Sequence, residues 1–421
     1  MPDVRLLALA AHAYVRARWR AWRLRDRAAI EAYQTRQLTR LMQHASHALP
    51  FYRAYAQQPL AQWPILDKQA LLADFERINR PALGAGDIRE ALAAGQERAR
   101  GYVIGQSTGT SGNRGYYVIS DAERFVWLGT LLAKALPDAL WQRRRVALAL
   151  PGLSALYRSA GTGSRIELAF FDLASGPQSW VEALSDFAPD TLVAPPKVLR
   201  WLAERGRLQA RNVFSGAEVL DPLDRQVIEA ATGRRLREIY MATEGLFAVS
   251  CSRGTLHLAE DVVHFEFQQV DAHSPLVSPI VTDFTRREQG LIRYRMNDLL
   301  ELDPNPCPCG LAFQAVKRVE GRQDDVFRLA DGQGGRRLVT PDVLRNAVVD
   351  SHPAIVDFRV LQLAAERIEV RLDECLPAEV DEQVRQNLLA RLAPLAVEVQ
   401  VVRGLEVPYA HKLRRVMRLC D

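Results

Sequence analysis

Cysteine and lysine are the scarce residues of this chain. Five cysteines in 421 residues, an odd number, cannot staple a disulfide scaffold, so a reducing cytoplasm is the expected compartment. Lys68, Lys134, Lys197, Lys317 and Lys412 are the only lysines among 55 basic residues. That skew follows the base composition of a GC-rich bacterial genome more than any structural need, yet it makes each lysine informative. No run reaches the roughly 18 apolar residues that cross a bilayer, so a membrane-embedded protein is not expected. Asp3 and Arg5 precede the first apolar stretch and no cleavage site follows, so no secretory signal is expected. Internal repeats and low-complexity tracts are absent. With 48% hydrophobic and 25% charged residues, disordered, collagen-like and coiled-coil proteins are excluded, and the length suits two or three domains.

Charge is unevenly placed. The net charge is +5, and residues 1–40 hold nine arginines against Asp3, Asp26 and Glu31, so the remaining body is near neutral. A dedicated nucleic-acid binder would be basic throughout, and no nucleic-acid partner is expected. Segment 1–47 reads as helical and basic. Its arginines with Trp19 and Trp22 suit docking on an anionic membrane surface or an acidic carrier protein. The plainer reading, a solvated helix packed on the large domain through its Trp and Leu residues, is the expected one.

From Gly101 the pattern alternates strand and helix, which argues an α/β fold with a helix-covered sheet. Helices are expected at 121–136, 196–206, 222–232, 341–350 and 377–392. Residues 255–302 read as pure strand and predict a β-rich subdomain or barrel. The last 97 residues or so form a compact α+β unit. The expected division is a large domain, 1–320, and a small mobile domain, 321–421.

Three groups of residues carry chemistry. Ser107, Thr108, Gly109, Thr110, Ser111 and Gly112 lie between two strands and continue to Asn113, Arg114 and Gly115. Glycines let backbone N–H groups curl around an anion and hydroxyls add donors, which suits a nucleotide triphosphate; a flexible hairpin tip is the plain alternative. The same stretch matches G-x-S-x-G at Gly105–Gly109, the elbow of serine hydrolases, but an elbow needs a helix directly after the serine. The second group is Gly216-Ala217-Glu218 and Tyr240-Met241-Ala242-Thr243-Glu244, each at a strand end where α/β sheets bind ligands. The third is Cys251, His257, Cys307 and Cys309. Three thiolates and one imidazole match a closed structural zinc site that would staple the ends of the β-rich segment; reduced cysteines in a turn are the alternative.

Loop 107–115, GAE at 216–218, YMATEG at 240–245, RYRMNDL at 293–299, GRQDD at 321–325 and a late lysine occur in that order. This ordered set resembles the adenylate-forming superfamily of acyl-CoA synthetases. The likeness is greatest to the phenylacetate–CoA ligase branch, which includes coenzyme F synthetase-like enzymes. LMQHASHALPFYRAY followed by WPILDK is similar to that branch as well. The resemblance implies an acid–thiol ligase that forms an acyl-AMP from ATP and a small, aromatic carboxylic acid. The thiol would be CoA or the phosphopantetheine of an acyl carrier protein; a homodimer stays open.

Position by position, the resemblance assigns Ser107 to Gly112 to the ATP phosphates. It assigns Gly216, Ala217 and Glu218 to the adenine edge and Tyr240 to its face. Thr243 would meet the α-phosphate, Glu244 would hold Mg²⁺, and Asp298 and Arg322 would meet the ribose. Asp324 would be the hinge, and Lys412 would reach the α-phosphate and the acid. Relatives carry zinc-type Cys/His at places matching Cys251, His257, Cys307 and Cys309. The chain departs from the family pattern at Asn113-Arg114, where a lysine is usual, at Met296-Asn297 and at His411. The alternatives are transfer of the nucleotide itself, leaving AMP on the substrate, and a serine hydrolase.

Overall fold

The computed structural model describes residues 3–107, 115–150, 165–272, 274–407, 409 and 412–420. The N-terminal segment is two helices, α1 (Val4–Arg23) and α2 (Arg27–Ala48), capped by Asp3 and Asp26. It packs on the body as expected. Arg20 donates to the Asp261 carbonyl at 2.9 Å, and Lys134 meets the Asp261 carboxylate at 2.6 Å. Trp19 and Trp22 instead face water, 55% and 61% exposed. Tyr14 and Ala17 make the apolar contact in their place.

Strands β1 (Tyr102–Gln106) and β2 (Tyr116–Ile119) form an antiparallel hairpin, with Gln106 opposite Tyr116. Helix α3 (Asp121–Ala135) follows, closed by a capping box between Ser120 and Glu123. It lies against α1 so tightly that a Cβ on Gly129 would sit 2.0 Å from the Ala10 carbonyl oxygen.

The parallel strands are β3 (Arg144–Leu150), β4 (Ile166–Asp172), β5 (Thr191–Ala194), β6 (Asn212–Gly216) and β7 (Arg237–Ala242). Helix α4 (Pro196–Glu204) connects β5 to β6, and α5 (Pro222–Thr232) connects β6 to β7. The chain then turns antiparallel through β8 (Gly245–Ser250), β9 (Leu256–Leu258), β10 (Val263–Gln269) and β11 (Leu276–Asp283). β12 (Asp298–Leu302) and β13 (Ala315–Arg322) end the series. The spatial order is β10-β11-β12-β13-β9-β8-β7-β6-β5-β3-β4. The β-rich stretch expected over 255–302 is the antiparallel part of this same sheet. The β8–β7 pairing carries one sheet from its parallel to its antiparallel part.

The C-terminal unit holds β14 (Phe327–Ala330), β15 (Arg336–Val339), α6 (Pro341–Val349), β16 (Phe358–Ala364) and β17 (Arg367–Leu372). α7 (Glu379–Leu392), β18 (Glu398–Arg403) and β19 (Val416–Arg418) complete it. Its four-stranded sheet runs β18-β17-β16-β19, and its core, with Phe327, Phe358 and Val384, is nearly all its own. A charged seam joins it to the large domain. Arg415 grips Asp224 of α5 through two nitrogens, at 2.7 and 3.0 Å, and Arg200 of α4 reaches the same carboxylate at 3.1 Å. Bidentate guanidinium–carboxylate pairing of this kind fixes orientation as well as distance.

Candidate active site

Strand register assembles the site. Asp298 begins β12 and stands opposite Arg322 at the end of β13. Tyr240, on β7, donates its hydroxyl to Asp298 Oδ2 at 2.7 Å. Thr243 and Glu244 are the two residues of the tight β7–β8 turn. Tyr294 donates to Glu244 Oε1 at 3.2 Å. Ala217, just beyond β6, has φ +67°, a left-handed conformation that costs a non-glycine residue energy and is concentrated at functional sites.

Ala217, Glu218, Tyr240, Asp298, Arg322 and Lys412 line a cavity of about 170 Å³. Lys412 and Arg414 line it from the C-terminal stretch of the chain.

Its electrostatics follow from burial. Burial pushes the carboxyls of Asp298 and Glu244 above the usual range, against the Tyr240 hydrogen bond at the first and a backbone hydrogen bond at the second. Burial also lowers the Lys412 ammonium; Arg322 adds to this, while Asp298, Glu218 and Glu244 oppose it. Carboxylates and cations crowded in this way suit a highly charged ligand with hydroxyls.

Glu218 is held by Lys197 at 2.7 Å, both side chains being almost wholly buried. Its other oxygen, Oε2, has no hydrogen-bond partner among the described groups. A buried acceptor of this kind suits a ligand N–H.

A second cavity, about 280 Å³, opens beside the first. Ala217, Ile239, Met241, Ala242 and Lys412 line both. The rest of its wall is mainly aliphatic, with Thr243 and Gly245 near the junction.

Gly216, Ala217, Glu218, Tyr240, Thr243, Asp298, Arg322 and Lys412 line one or both of the adjoining cavities, while Glu244 lines neither and is held by Tyr294 behind Thr243. Ser107 closes the β1–β2 hairpin. Its N–H donates to the Gly115 carbonyl at 2.7 Å, and its Oγ accepts from Gly115 N–H at 2.9 Å. That is a strand-to-strand closure and not the strand-to-helix elbow of a hydrolase. Thr108, Gly109, Thr110, Ser111 and Gly112 lie outside the described residues, as do Asn113, Arg114, His411 and residues 151–163. Asp324 sits at the domain junction, where Asn297 Nδ2 donates to its carboxylate at 2.5 Å. Arg418 donates to its carbonyl at 3.2 Å.

Sequence reasoning missed Lys68, Lys197 and Tyr294. A Cβ on Gly115 would lie 3.4 Å from Lys68 Cε, so Lys68 stands at the foot of the 107–115 loop. Burial lowers its ammonium, Glu244 and Asp324 raise it, and Arg322 lowers it. The scarcity of lysine was the available signal: three of the five, Lys68, Lys197 and Lys412, stand in or beside the charged cavity.

Far from this junction, Cys251, His257, Cys307 and Cys309 offer four ligand atoms within 4.8 Å of one another. Cys251 follows β8, His257 lies on β9, and the other two are in the β12–β13 turn. β9 pairs with both β8 and β13, so the register gathers all four. His257 Nδ1 is 2.9 Å from the Phe313 carbonyl, which makes it the N–H and turns Nε2 toward Cys309 Sγ at 3.4 Å. That second hydrogen bond is the usual way a metal-ligating imidazole is oriented.

No protein-family model matches the chain. Protein CapK of Staphylococcus aureus is 28% identical over 159 residues, which is 35% of this chain and 35% of that protein. 2-Hydroxyisobutyryl-CoA ligase, in its postadenylation state with an acyl-AMP, superimposes with a TM-score of 0.67 at 17% identity. The match covers 96% of this chain and 91% of that one. The same ligase in its thioesterification state gives 0.52. The chain has the fold of the adenylate-forming CoA ligases. ATP-bound MatB of Rhodopseudomonas palustris shares it at 18% identity and a TM-score of 0.54, over 72% of this chain and 64% of that one. The anthranilate CoA ligase AuaEII with anthranoyl-AMP does so at 16% identity and 0.51, over 74% and 65%.

Proposed function

We propose that the protein joins a carboxylic acid to ATP, forming an acyl-AMP and releasing pyrophosphate, and then passes the acyl group to a thiol. The observation that carries this reading is Lys412. It stands where a charged cavity with the Tyr240–Asp298 pair meets an apolar one. A nucleotide in the first and an acid in the second would bring their reacting ends together at its ammonium.

In the first step a carboxylate oxygen attacks the α-phosphorus, and the bond to pyrophosphate breaks. The protein's part is alignment and charge stabilisation, which the positioned Lys412 and Thr243 supply. Asp298 accepts from the ribose hydroxyls beside Arg322. Gly216, Ala217 and Glu218 border the adenine and Tyr240 faces it. Glu244, a buried carboxylate raised by burial, is the natural oxygen ligand for Mg²⁺, whose charge would offset that of the triphosphate. Ser107 and the loop it opens, through Gly112, take the phosphates, with Lys68 at the loop's foot.

In the second step the thiolate attacks the acyl carbon and AMP leaves, the thiol proton passing to solvent. The small domain, 321–421, turns about Asp324 between the steps. The better match to the postadenylation state than to the thioesterification state supports this assignment of the present arrangement. The acceptor is CoA or a carrier-protein phosphopantetheine. The family resemblance points to an aromatic acid; the chemistry around Lys412 asks only for a carboxylate. The Cys251, His257, Cys307, Cys309 cluster fits a structural Zn²⁺ by donor type, spacing and the orientation of His257.

Carboxylate-dependent ATP–pyrophosphate exchange without thiol tests the first step, and AMP release on adding CoA tests the second. Pyrophosphate release with no AMP release would instead mean that AMP stays on the substrate. For the metal, the expectation is one zinc per purified chain. Cys307→Ser should lose it and lower the melting temperature while leaving the KM for ATP unchanged. Metal-free native protein would remove the zinc assignment.

A further inference from the structure

The apolar cavity lies between a sheet face and a helix, and its lining changes from one end to the other. Val146, Leu148 and Leu150 line it from β3, at every second position and so on one face of the sheet. Ile166 and Leu168 of β4 and Val193 of β5 continue that face. Opposite them, α3 contributes Trp127, Leu131, Leu132 and Leu136, at helical spacing. Only residues 136–143 connect the end of α3 to the start of β3, so Leu136 and Val146 fall at the same end. Trp127 and Leu150 therefore mark the junction end, and Leu136, Val146 and Ile166 the far end.

Two independent rulers measure the length. From Val146 to Leu150 is four strand steps, about 13 Å at roughly 3.3 Å each. From Trp127 to Leu136 is nine helical steps, about 13–14 Å at 1.5 Å each. An extended hydrocarbon advances about 1.25 Å per carbon–carbon bond of roughly 1.5 Å, so about ten carbons fill that length.

The volume argues the same way. A cavity of about 150 Å³ with aliphatic walls is enough to hold a benzene ring. At about 280 Å³ this one would leave a single aryl ring loose.

Among the described residues, the far end also lacks a free polar group to read a substituted ring. Thr191 is the polar residue lining it, and its hydroxyl already donates to Asp190 at 2.6 Å. Glu123, Asp283 and Arg286 all lie toward the junction end. Half-buried Leu131, Leu132, Ile166, Leu168 and Val193 turn their remaining surface into this space. An unfilled apolar channel ending at an ammonium is complementary to one class of molecule.

We infer that the acid activated is a straight-chain aliphatic carboxylic acid of about ten carbons. Its tail lies between α3 and the β3–β4–β5 face, and its carboxylate lies at Lys412. This rests on the adenylation reading above and names its substrate class.

The test is thiol-free ATP–pyrophosphate exchange with straight-chain acids of four to sixteen carbons, beside benzoate, phenylacetate and 4-hydroxybenzoate. Each added methylene should raise kcat/KM about threefold to fourfold, as expected for burying one CH₂, up to about ten carbons. The rise should then stop, and the aryl acids should fall below the optimum.

Leu136→Trp, which blocks the far end, should lower the ratio of kcat/KM for the ten-carbon acid to that for the four-carbon acid at least tenfold. Leu136→Phe should move the ratio the same way by less. Taking a ratio within one variant removes any general loss of folded protein. Faster exchange with an aryl acid than with every straight-chain acid would overturn the inference and leave adenylation standing. An unchanged chain-length ratio in both variants would overturn the placement of the tail. Absence of exchange with any acid would overturn the adenylation reading itself, and this inference with it.

Discussion

The two cavities that meet at Lys412 are built by opposite means. The charged one is lined by side chains that come from turns and strand ends, and each is recognisable alone: Glu218, Tyr240, Asp298, Arg322. The apolar one is lined by the middles of a helix and three strands, and its residues are those of any core. Polar groups are selected for position, so they leave ordered motifs. Aliphatic walls are selected for volume and shape, which many sequences satisfy. The residues of the first cavity are marked in the sequence by motifs; the second is silent until the fold is known.

The most damaging way to break this pairing is at the junction. Lys412→Ala should cut acid-dependent ATP–pyrophosphate exchange by about 10²–10³-fold, the usual effect of removing one preorganised charge-stabilising donor. ATP affinity, measured by calorimetry, should change little. An unaltered exchange rate would remove Lys412 from the reaction.

A second probe touches the apolar side. Burial raises the Asp283 carboxyl from 3.8 to about 6, against hydrogen bonds from Thr285. Its folded-state value thus lies above its unfolded one. The native state holds the proton more firmly, so its stability falls as pH rises from about 4 to 6 and then levels off. A rise of that size costs roughly 3 kcal/mol once the carboxyl is ionised. Asp283→Asn should therefore be the more stable protein at pH 7.5, with the gap closing near pH 4. Denaturant titration at both pH values measures it. An equal gap at the two would place the cost elsewhere.

The smallest effect sharpens the contrast. Asp298→Asn should raise the KM for ATP about tenfold, the scale of one charged hydrogen bond, and leave the KM for the acid unmoved. Equal changes in both would mean that the cavities are not separate sites.

Legibility along the chain followed the same division. The helices at 121–135, 196–204 and 222–232 were readable from caps, prolines and periodicity, within a residue or two. The strand-rich stretch 255–302 was readable as strand but not as part of the main sheet, because pairing with β7 and β13 is long-range information. Asp298 and Arg322 were each marked by a motif, while their direct opposition in the β12–β13 register was not. Lys197 lies in no quoted motif, and Tyr294 lies in RYRMNDL without a role of its own assigned there. They act by reaching Glu218 and Glu244, and such second partners are defined by distance in space. Cys251, His257, Cys307 and Cys309 were legible as a donor set because few other cysteines compete.

By itself the sequence determined the alternation of strand and helix, the order of the polar site residues and the four-donor cluster, since all are local patterns of chemistry. The tertiary structure decided what those patterns share. It placed Lys412 at the meeting of two cavities, joined the antiparallel strands to the parallel sheet, and left an apolar cavity of about 280 Å³ between α3 and β3. A void has no residue of its own. It is the difference between the volume the backbone encloses and the volume the side chains fill, and only their packing sets it.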